Sequence, residues 1–384
     1  MIGKTRIKEE LRMKIKPFGV ESWMDLYETK CKYNIAETCV DSISLNEFEE
    51  LISEPGYFSE NLMGKRLTYG EIPGSIDFRK GVSSLFKDVN VENILSTNGA
   101  IGANFLALFT LVEPEDEVVS IIPTYQQHYS IPESLGASVK IVKLKKENRF
   151  VPDLDELRQT VTGKTKLICM NNPNNPSGAL MSEEVITQII EIAKEVDAYI
   201  LCDEVYRHLN QEDVYAPSIV DLYEKGISTG SMSKVFSMAG LRLGWLVAPK
   251  EVIEKAYDMR HYNMISCGML DEAIAAKVLE NKDKILERNL KIVRDNIEIV
   301  DAWVQNEPRI DYIRPRAGST ALLYFDMDIT STELCHRMMA EEGIMLVPGD
   351  CFDMGKCLRI GYAFNPDELK EGLSALSRYL RQFD

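Results

Sequence analysis

Lys234 lies in the stretch STGSMSKVFSMAGLRLGWL, after Ser231 and Ser233 and before Arg242. An amine able to act as a nucleophile therefore stands with two hydroxyl donors and a guanidinium suited to phosphate. A lone lysine is ordinarily a solvated surface cation, so its company decides the reading. The stretch NNPNNPSG, residues 171–178, follows an apolar run; Asn175 can donate to an anionic or phenolic oxygen, and Pro176 and Gly178 can hold the turn that aims it. In YILCDEVYRHL, Asp203 closes another apolar run and Tyr206 follows three residues later. A carboxylate there can pair with a protonated ring nitrogen and strengthen a heterocycle as an electron acceptor, while Tyr206 can donate to a ring oxygen. Taken singly, these residues serve equally well as turn formers, helix caps and core rings. Together they ask for a phosphorylated heterocycle that forms an imine with Lys234.

Such groups need a scaffold that delivers strand ends to one place. The chain supplies an α/β rhythm: NILSTNGA runs into the helix-like GANFLALFTLV, and EVVSII, SVKIVKL, KLICM, AYILCD and GISTGS read as strands. Between them, SEEVITQIIEIAKEVD reads as a helix started by Ser182, with Glu183 and Glu184 at its positive end. The motif residues fall at strand carboxyl ends, where open α/β sheets place ligands. Earlier, residues 1–30 read as a charged amphipathic arm with a loop through Pro17 and Gly19 and Trp23 as anchor, and Ile76, Phe78, Val82 and Phe86 mark a helix. Later, residues 266–304 read as two helices or one bent helix, followed by strand-like ALLYFDM, helical STELCHRMMAEEG, strand-like IMLVPG and LRIGYAF, and a helix from Pro366.

Lys+Arg of 44 against Asp+Glu of 60 leaves a net charge of −16, which repels nucleic-acid backbones, and no basic run offsets it. Neither a signal peptide nor an apolar run of 18 residues is present, so a membrane partner is not expected and a cytoplasmic location is. The eight cysteines show no metal-ligand spacing, and with only His128, His208, His261 and His336 available no metal site is expected.

Pyridoxal phosphate meets the demands of the motif residues. The ordered set NNPNNPSG, DEVY, SMSK and RLGW, over most of residues 31–384, resembles the class I/II aminotransferases, the aspartate-aminotransferase-like branch of fold-type I pyridoxal-phosphate enzymes. The resemblance implies an α/β fold with a large, mostly parallel-sheet domain and a smaller α+β domain. The expected division is an arm and part of the small domain in 1–45, the cofactor domain in 46–265, and an interdomain helix with the small C-terminal domain in 266–384.

By the same resemblance Lys234 binds the cofactor aldehyde and shuttles a proton, and Asp203 pairs with the ring nitrogen. Asn175 and Tyr206 contact the phenolic oxygen, and Tyr125 in PTYQQHY lies against the ring. The phosphate meets Ser231, Ser233, Arg242 and backbone donors around Gly99 and Ala100, while Tyr69 in LTYG reaches a neighbouring subunit's phosphate, implying a homodimer. Arg359 in CLRIGYAF takes the substrate α-carboxylate, with Asn175 in the same substrate site. Ile101 stands where the family often has a hydroxyl, so backbone donors must compensate; NIAETCVDSIS leaves Glu37, Thr38 and Cys39 at an unassigned substrate-facing edge. The leading expectation is an amino-acid aminotransferase acting on amino acid and 2-oxo acid. A carbon–sulfur β-lyase or amino-acid cyclase would use the same core residues, and a noncatalytic cofactor-binding regulator is the rival from another class.

Overall fold

The computed structural model describes residues 15–213 and 216–383; positions 1–14 of the expected N-terminal arm lie outside the described residues. Among the described residues the large sheet has seven strands: Ile94–Thr97 (β1), Glu117–Ile122 (β2), Ser138–Lys143 (β3), Thr165–Asn171 (β4), Tyr199–Asp203 (β5), Gly226–Ser231 (β6) and Gly244–Val247 (β7). Their order across the sheet is β1-β7-β6-β5-β4-β2-β3. Neighbours run parallel except at β7, which is antiparallel to both β6 and β1. Inner strands β2 and β6 are buried at every residue, as helix-covered parallel strands require, whereas β3 at the edge is largely solvated.

The covering helices follow from their sequences. Helix Glu183–Glu195 is capped by the Ser182 side chain, which accepts from Val185 N, and it buries Ile186, Ile189, Ile190 and Ala193, one stripe at helical spacing. Helix Gly99–Leu111 is apolar nearly all round and packs against the sheet, leaving Asn104 as a buried polar exception.

The smaller domain is built around four antiparallel strands, Ile310–Tyr312 (β8), Thr320–Phe325 (β9), Val347–Pro348 (β10) and Cys357–Gly361 (β11), in the order β10-β11-β9-β8. Helices Ser331–Glu342 and Pro366–Leu380 accompany them. The architecture is thus the expected α/β one, a large mostly parallel sheet with a smaller α+β domain.

Three local readings are corrected and one open choice is decided. Gly19 opens the helix Gly19–Tyr27 instead of lying in a loop, and Trp23 on it is buried with its indole N–H donating to Leu346 O at 2.8 Å. The helix Ile76–Ser83 ends before Phe86, buries Phe78 and Val82, and leaves Ile76 half-exposed. Of the two forms open for residues 266–304, the chain takes two helices, Met269–Glu280 and Lys282–Gln305, parted at Asn281. The run IMLVPG is two short strands: Ile344–Met345 pairs in parallel with Tyr33–Asn34, and β10 joins β11. A period-two pattern cannot show that one apolar run serves two sheets.

Two contacts fix the segment around residue 37 and the long helix against the sheets. Gly361 donates its N–H to Ile35 O at 3.0 Å, and a Cβ on Gly361 would lie 1.6 Å from Glu37 O, so only glycine permits this approach. On Lys282–Gln305, buried Asn289 donates to Val235 O at 2.7 Å, and Asn296, seven residues on, donates to Tyr362 O at 2.7 Å and Phe364 O at 2.6 Å. One helix face therefore holds the chain next to Lys234 and the chain just beyond Arg359. Because truncation strands buried carbonyls, Asn289→Ala and Asn296→Ala should each cost about 1–3 kcal/mol. Lys291→Ala on the exposed side should stay within about 0.5 kcal/mol, both read from urea midpoints.

Candidate active site

The parallel register brings polar side chains to the carboxyl ends of three adjacent strands. Asn171 on β4 is level with Asp203 on β5, and Asp203 with Thr229 on β6, two residues before Ser231. Apolar runs bury these strands, so each polar residue at their ends must find a partner. Asn171 donates to Asp203 O at 2.8 Å and accepts from Asn175 N at 2.6 Å, which seats the NNPNNPSG turn.

Above these strand ends lies a cavity of ≈ 370 Å³. Ala100, Tyr125, Asn175, Asp203, Tyr206, Ser231, Ser233, Lys234, Arg242 and Arg359 all line it. Gly99 stands just behind, at the first turn of Gly99–Leu111, with φ of 72°; a Cβ there would come within 2.9 Å of Arg242 Nη2. Tyr69 is not among the lining residues of its own chain and is 77% exposed.

Asp203 is 4% exposed, yet it has only uncharged donors: Asn104 Nδ2 at 2.8 Å and Val205 N at 3.0 Å. Burial pushes its carboxyl above the usual range, opposed by those two donors and by the Lys234 charge. Asn104 is itself fixed by Thr229 Oγ1, which donates to Asn104 Oδ1 at 2.7 Å. Sequence reasoning passed over Asn104, although a lone amide inside an apolar helical run was a usable signal.

Lys234 donates from Nζ to Thr38 Oγ1 at 2.6 Å and to Cys39 Sγ at 3.3 Å. Burial works against its ammonium, but Cys39, Tyr206 and Glu37 facing it raise the pKa above the ordinary lysine value. Burial raises the Cys39 thiol and the Tyr206 phenol. Burial tends to raise Glu37 as well, yet Lys234 and the N–H groups of Cys39 and Thr38, 2.7 Å from Glu37 Oε1, bring it below its usual value. The segment NIAETCVDSIS thus faces the lysine.

Arg359, 3% exposed, places Nη1 3.4 Å from Asn175 Oδ1 and Nη2 3.3 Å from Ala36 O. Its Nε is buried without an acceptor, and no carboxylate pairs with the guanidinium among the described residues. Arg242 donates to Ala239 O at 2.9 Å and likewise has no carboxylate partner there. Tyr125 donates to Glu21 Oε1 at 2.6 Å, with Phe18 packed on its ring at 4.7 Å. Val20, Glu21, Met24 and Glu28 complete a wall that the reading of residues 1–30 as a charged arm had missed; their spacing puts them on one helical face.

This set fits a phosphorylated, cationic heterocycle. The orphaned Arg359 Nε, the unpaired Arg242, the glycine-permitted approach at Gly99 and the buried Asp203 carboxylate each lack a partner that such a cofactor and an anionic substrate would bring. Among the described residues no three His, Cys, Asp or Glu side chains are arranged to hold a metal, and no helix is long and apolar enough to cross a membrane.

Comparison with known proteins agrees with the geometry. The family model for aminotransferase class I and II matches residues 30–376. A PLP-dependent aminotransferase structure from Streptococcus suis superposes with a TM-score of 0.94 at 43% identity, covering 97% of this chain and 99% of that one. Capreomycidine synthase of Streptomyces vinaceus is 30% identical over 365 residues, 94% of this chain and 93% of the relative. Aspartate aminotransferase of Pyrococcus horikoshii is 30% identical over 318 residues, 80% and 81% of the two chains.

The Asn104 contact generates a pH-dependent prediction. A buried carboxyl with a raised pKa adds stability that is fully present below the unfolded value of about 3.9 and lost as pH rises through the folded value. Asn104→Ala removes a donor to the ionised form and enlarges that loss. The stability gap between parent and variant apoproteins should therefore widen from pH 4 to pH 8 by up to about 1.5–3 kcal/mol, the range for a hydrogen bond to a charge. Urea midpoints at the two pH values measure it.

Proposed function

We infer function from a family premise: this chain belongs to the class I and II aminotransferases, among the fold-type I pyridoxal-phosphate enzymes, and we propose that it transfers an amino group from an amino acid to a 2-oxo acid. The observation that carries this reading is the convergence of Lys234, Asp203 and Arg359 on one cavity. Lys234 would hold the cofactor aldehyde, Asp203 the ring nitrogen, Asn175 and Tyr206 the phenolic oxygen, and Tyr125 the ring face. Ser231, Ser233, Arg242 and the amides of Gly99 and Ala100 would hold the phosphate. When bound, pyridoxal phosphate supplies a sink for the electron pair left at a substrate's α-carbon.

The chain's own side chains then have distinct tasks. Asp203, raised by burial and served only by neutral donors, is relieved by a ring N–H cation, so its negative charge favours the protonated ring. Arg359 offers its guanidinium, including the unpartnered Nε, to an α-carboxylate, with Asn175 beside it. Amino acid and 2-oxo acid both carry a carboxylate next to the reacting carbon, so one arginine serves donor and acceptor alike. In its neutral amine form Lys234, placed by Thr38 and Cys39, would take the proton from the α-carbon and return it. Helix Gly19–Tyr27, through Val20 and Met24, screens the cavity from water. Exposed Tyr69, with Met63 at 83% and Leu67 at 80% exposure nearby in sequence, supports a homodimer in which Tyr69 serves the neighbouring site.

A second reading, in which α-proton removal leads to elimination or ring closure, is favoured by one observation: the relative from Streptomyces vinaceus is named a synthase, not an aminotransferase. Products separate the two readings. With an amino acid and a 2-oxo acid, nitrogen should appear in the acceptor in step with loss of the donor. Ammonia and pyruvate without an acceptor, or a cyclised amino acid, would replace the proposed function by the second reading. Borohydride reduction of the cofactor-loaded protein should leave an adduct on Lys234, found by peptide mass analysis. Lys234→Ala should lose both the adduct and at least about 10²-fold in turnover, the lower end of general-base contributions.

A further inference from the structure

The charges around the cavity do not balance once each has its task. Among the described residues the cations lining it are Lys234, Arg242 and Arg359, assigned above to the cofactor aldehyde, the phosphate and the α-carboxylate. Asp203 is assigned to the ring nitrogen. Three further carboxylates, Glu21, Glu28 and Glu37, line the same cavity, and none forms an ion pair among the described residues.

Their contacts are with neutral groups. Glu21 accepts from the Tyr125 hydroxyl at 2.6 Å, and Glu37 accepts from the backbone N–H groups of Thr38 and Cys39 at 2.7 Å each. Glu28 stands at the exposed mouth, where burial and the neighbouring Glu37 and Glu21 charges raise its carboxyl. Lys234 helps keep Glu37 ionised, and that amine is committed to the cofactor. The same cavity holds the Arg359 guanidinium, 97% buried by its 3% exposure, with Nε lacking any acceptor. A ligand that satisfies both features carries a carboxylate for Arg359 and positive charge for the glutamates.

We propose that the amino acid selected by this site ends in a cationic side chain, a guanidinium or an ammonium, received by Glu21, Glu28 and Glu37. The inference rests on the function proposed above and narrows its substrate class. An ω-carboxylate would meet three negative charges and, among the described residues, no cation that is not already assigned, so acidic amino acids are disfavoured by the same wall.

The test titrates the cofactor-loaded protein with amino acids and follows the absorption of the bound cofactor, a binding readout that does not require turnover. Arginine is set against its neutral near-isostere citrulline, lysine against norleucine, and both pairs against aspartate and glutamate. Arginine and lysine should bind at least about tenfold more tightly than their neutral counterparts, about 1.4 kcal/mol. The preference should shrink as KCl is raised. In Glu21→Gln and Glu28→Gln the arginine-to-citrulline ratio should fall toward one, and in Glu28→Gln citrulline affinity should hold. Glu28 is at the exposed mouth, so its variant keeps the test decisive if Glu21→Gln does not fold. Equal binding of arginine and citrulline, or preference for aspartate or glutamate, overturns the inference and leaves the proposed function standing, because the cofactor still responds to amino acids. Absorption that none of the six amino acids changes overturns both.

Discussion

A carboxylate buried without a cation organises this molecule. Asp203 ends β5 with 4% of its surface exposed, and the Asn104 amide and the Val205 N–H are its hydrogen-bond donors, with the Lys234 charge acting without direct contact. Asn104 can do so only because Thr229 on the next strand holds its other end. The parallel register of β4, β5 and β6, the apolar helix Gly99–Leu111 and the Asn171 turn are thus tied to one buried group. In the proposed function the missing cation is a protonated ring nitrogen, placed where it would most increase electron withdrawal.

Reaction geometry depends on joining parts of the chain that lie far apart in sequence. Lys234 follows the large sheet, Arg359 sits in the smaller one, and the Ala36–Cys39 segment lies between them: Thr38 and Cys39 touch the lysine, and Ala36 touches the arginine. The glycine at 361 permits that segment to pass against β11. From the other side, Asn289 and Asn296 pin the long helix to the backbone at Val235 and at Tyr362 and Phe364. Arg359 stands on β11 and Lys234 in the turn after β6, and the Ala36–Cys39 segment together with the Asn289 bond to Val235 fixes their spacing.

The cavity's electrostatics divide by depth and by segment. Groups at the strand ends match a phosphorylated heterocycle, while the segments 20–28 and 37–39 bring an acidic wall that the cofactor does not need. Within a family that shares the first set, variation in such a wall is a direct way to change substrates, because one charge of the wrong sign costs more than a methylene in a pocket.

Much was legible in advance because the information was local. Strands such as Glu117–Ile122 and Tyr199–Asp203 are continuous apolar runs, and Ser182 caps its helix through a bond three residues away. The chemical residues also sit in short ordered motifs, so Lys234, Asp203 and Asn175 could be singled out from residue order, and Arg359 from the family resemblance those motifs carry. The division of IMLVPG between two sheets, the helix at Gly19, the support of Asp203 by Asn104 and the acidic wall of Glu21, Glu28 and Glu37 were not local facts. Asn104 reaches Asp203 across 99 positions and Trp23 on the first helix reaches Leu346 across 323, and residue order carries no distance across such gaps. By itself the sequence determined the elements and the reactive groups, because backbone propensity and side-chain chemistry act over a few residues; tertiary structure alone decided which charges share a cavity, because Coulomb interactions follow separation in space.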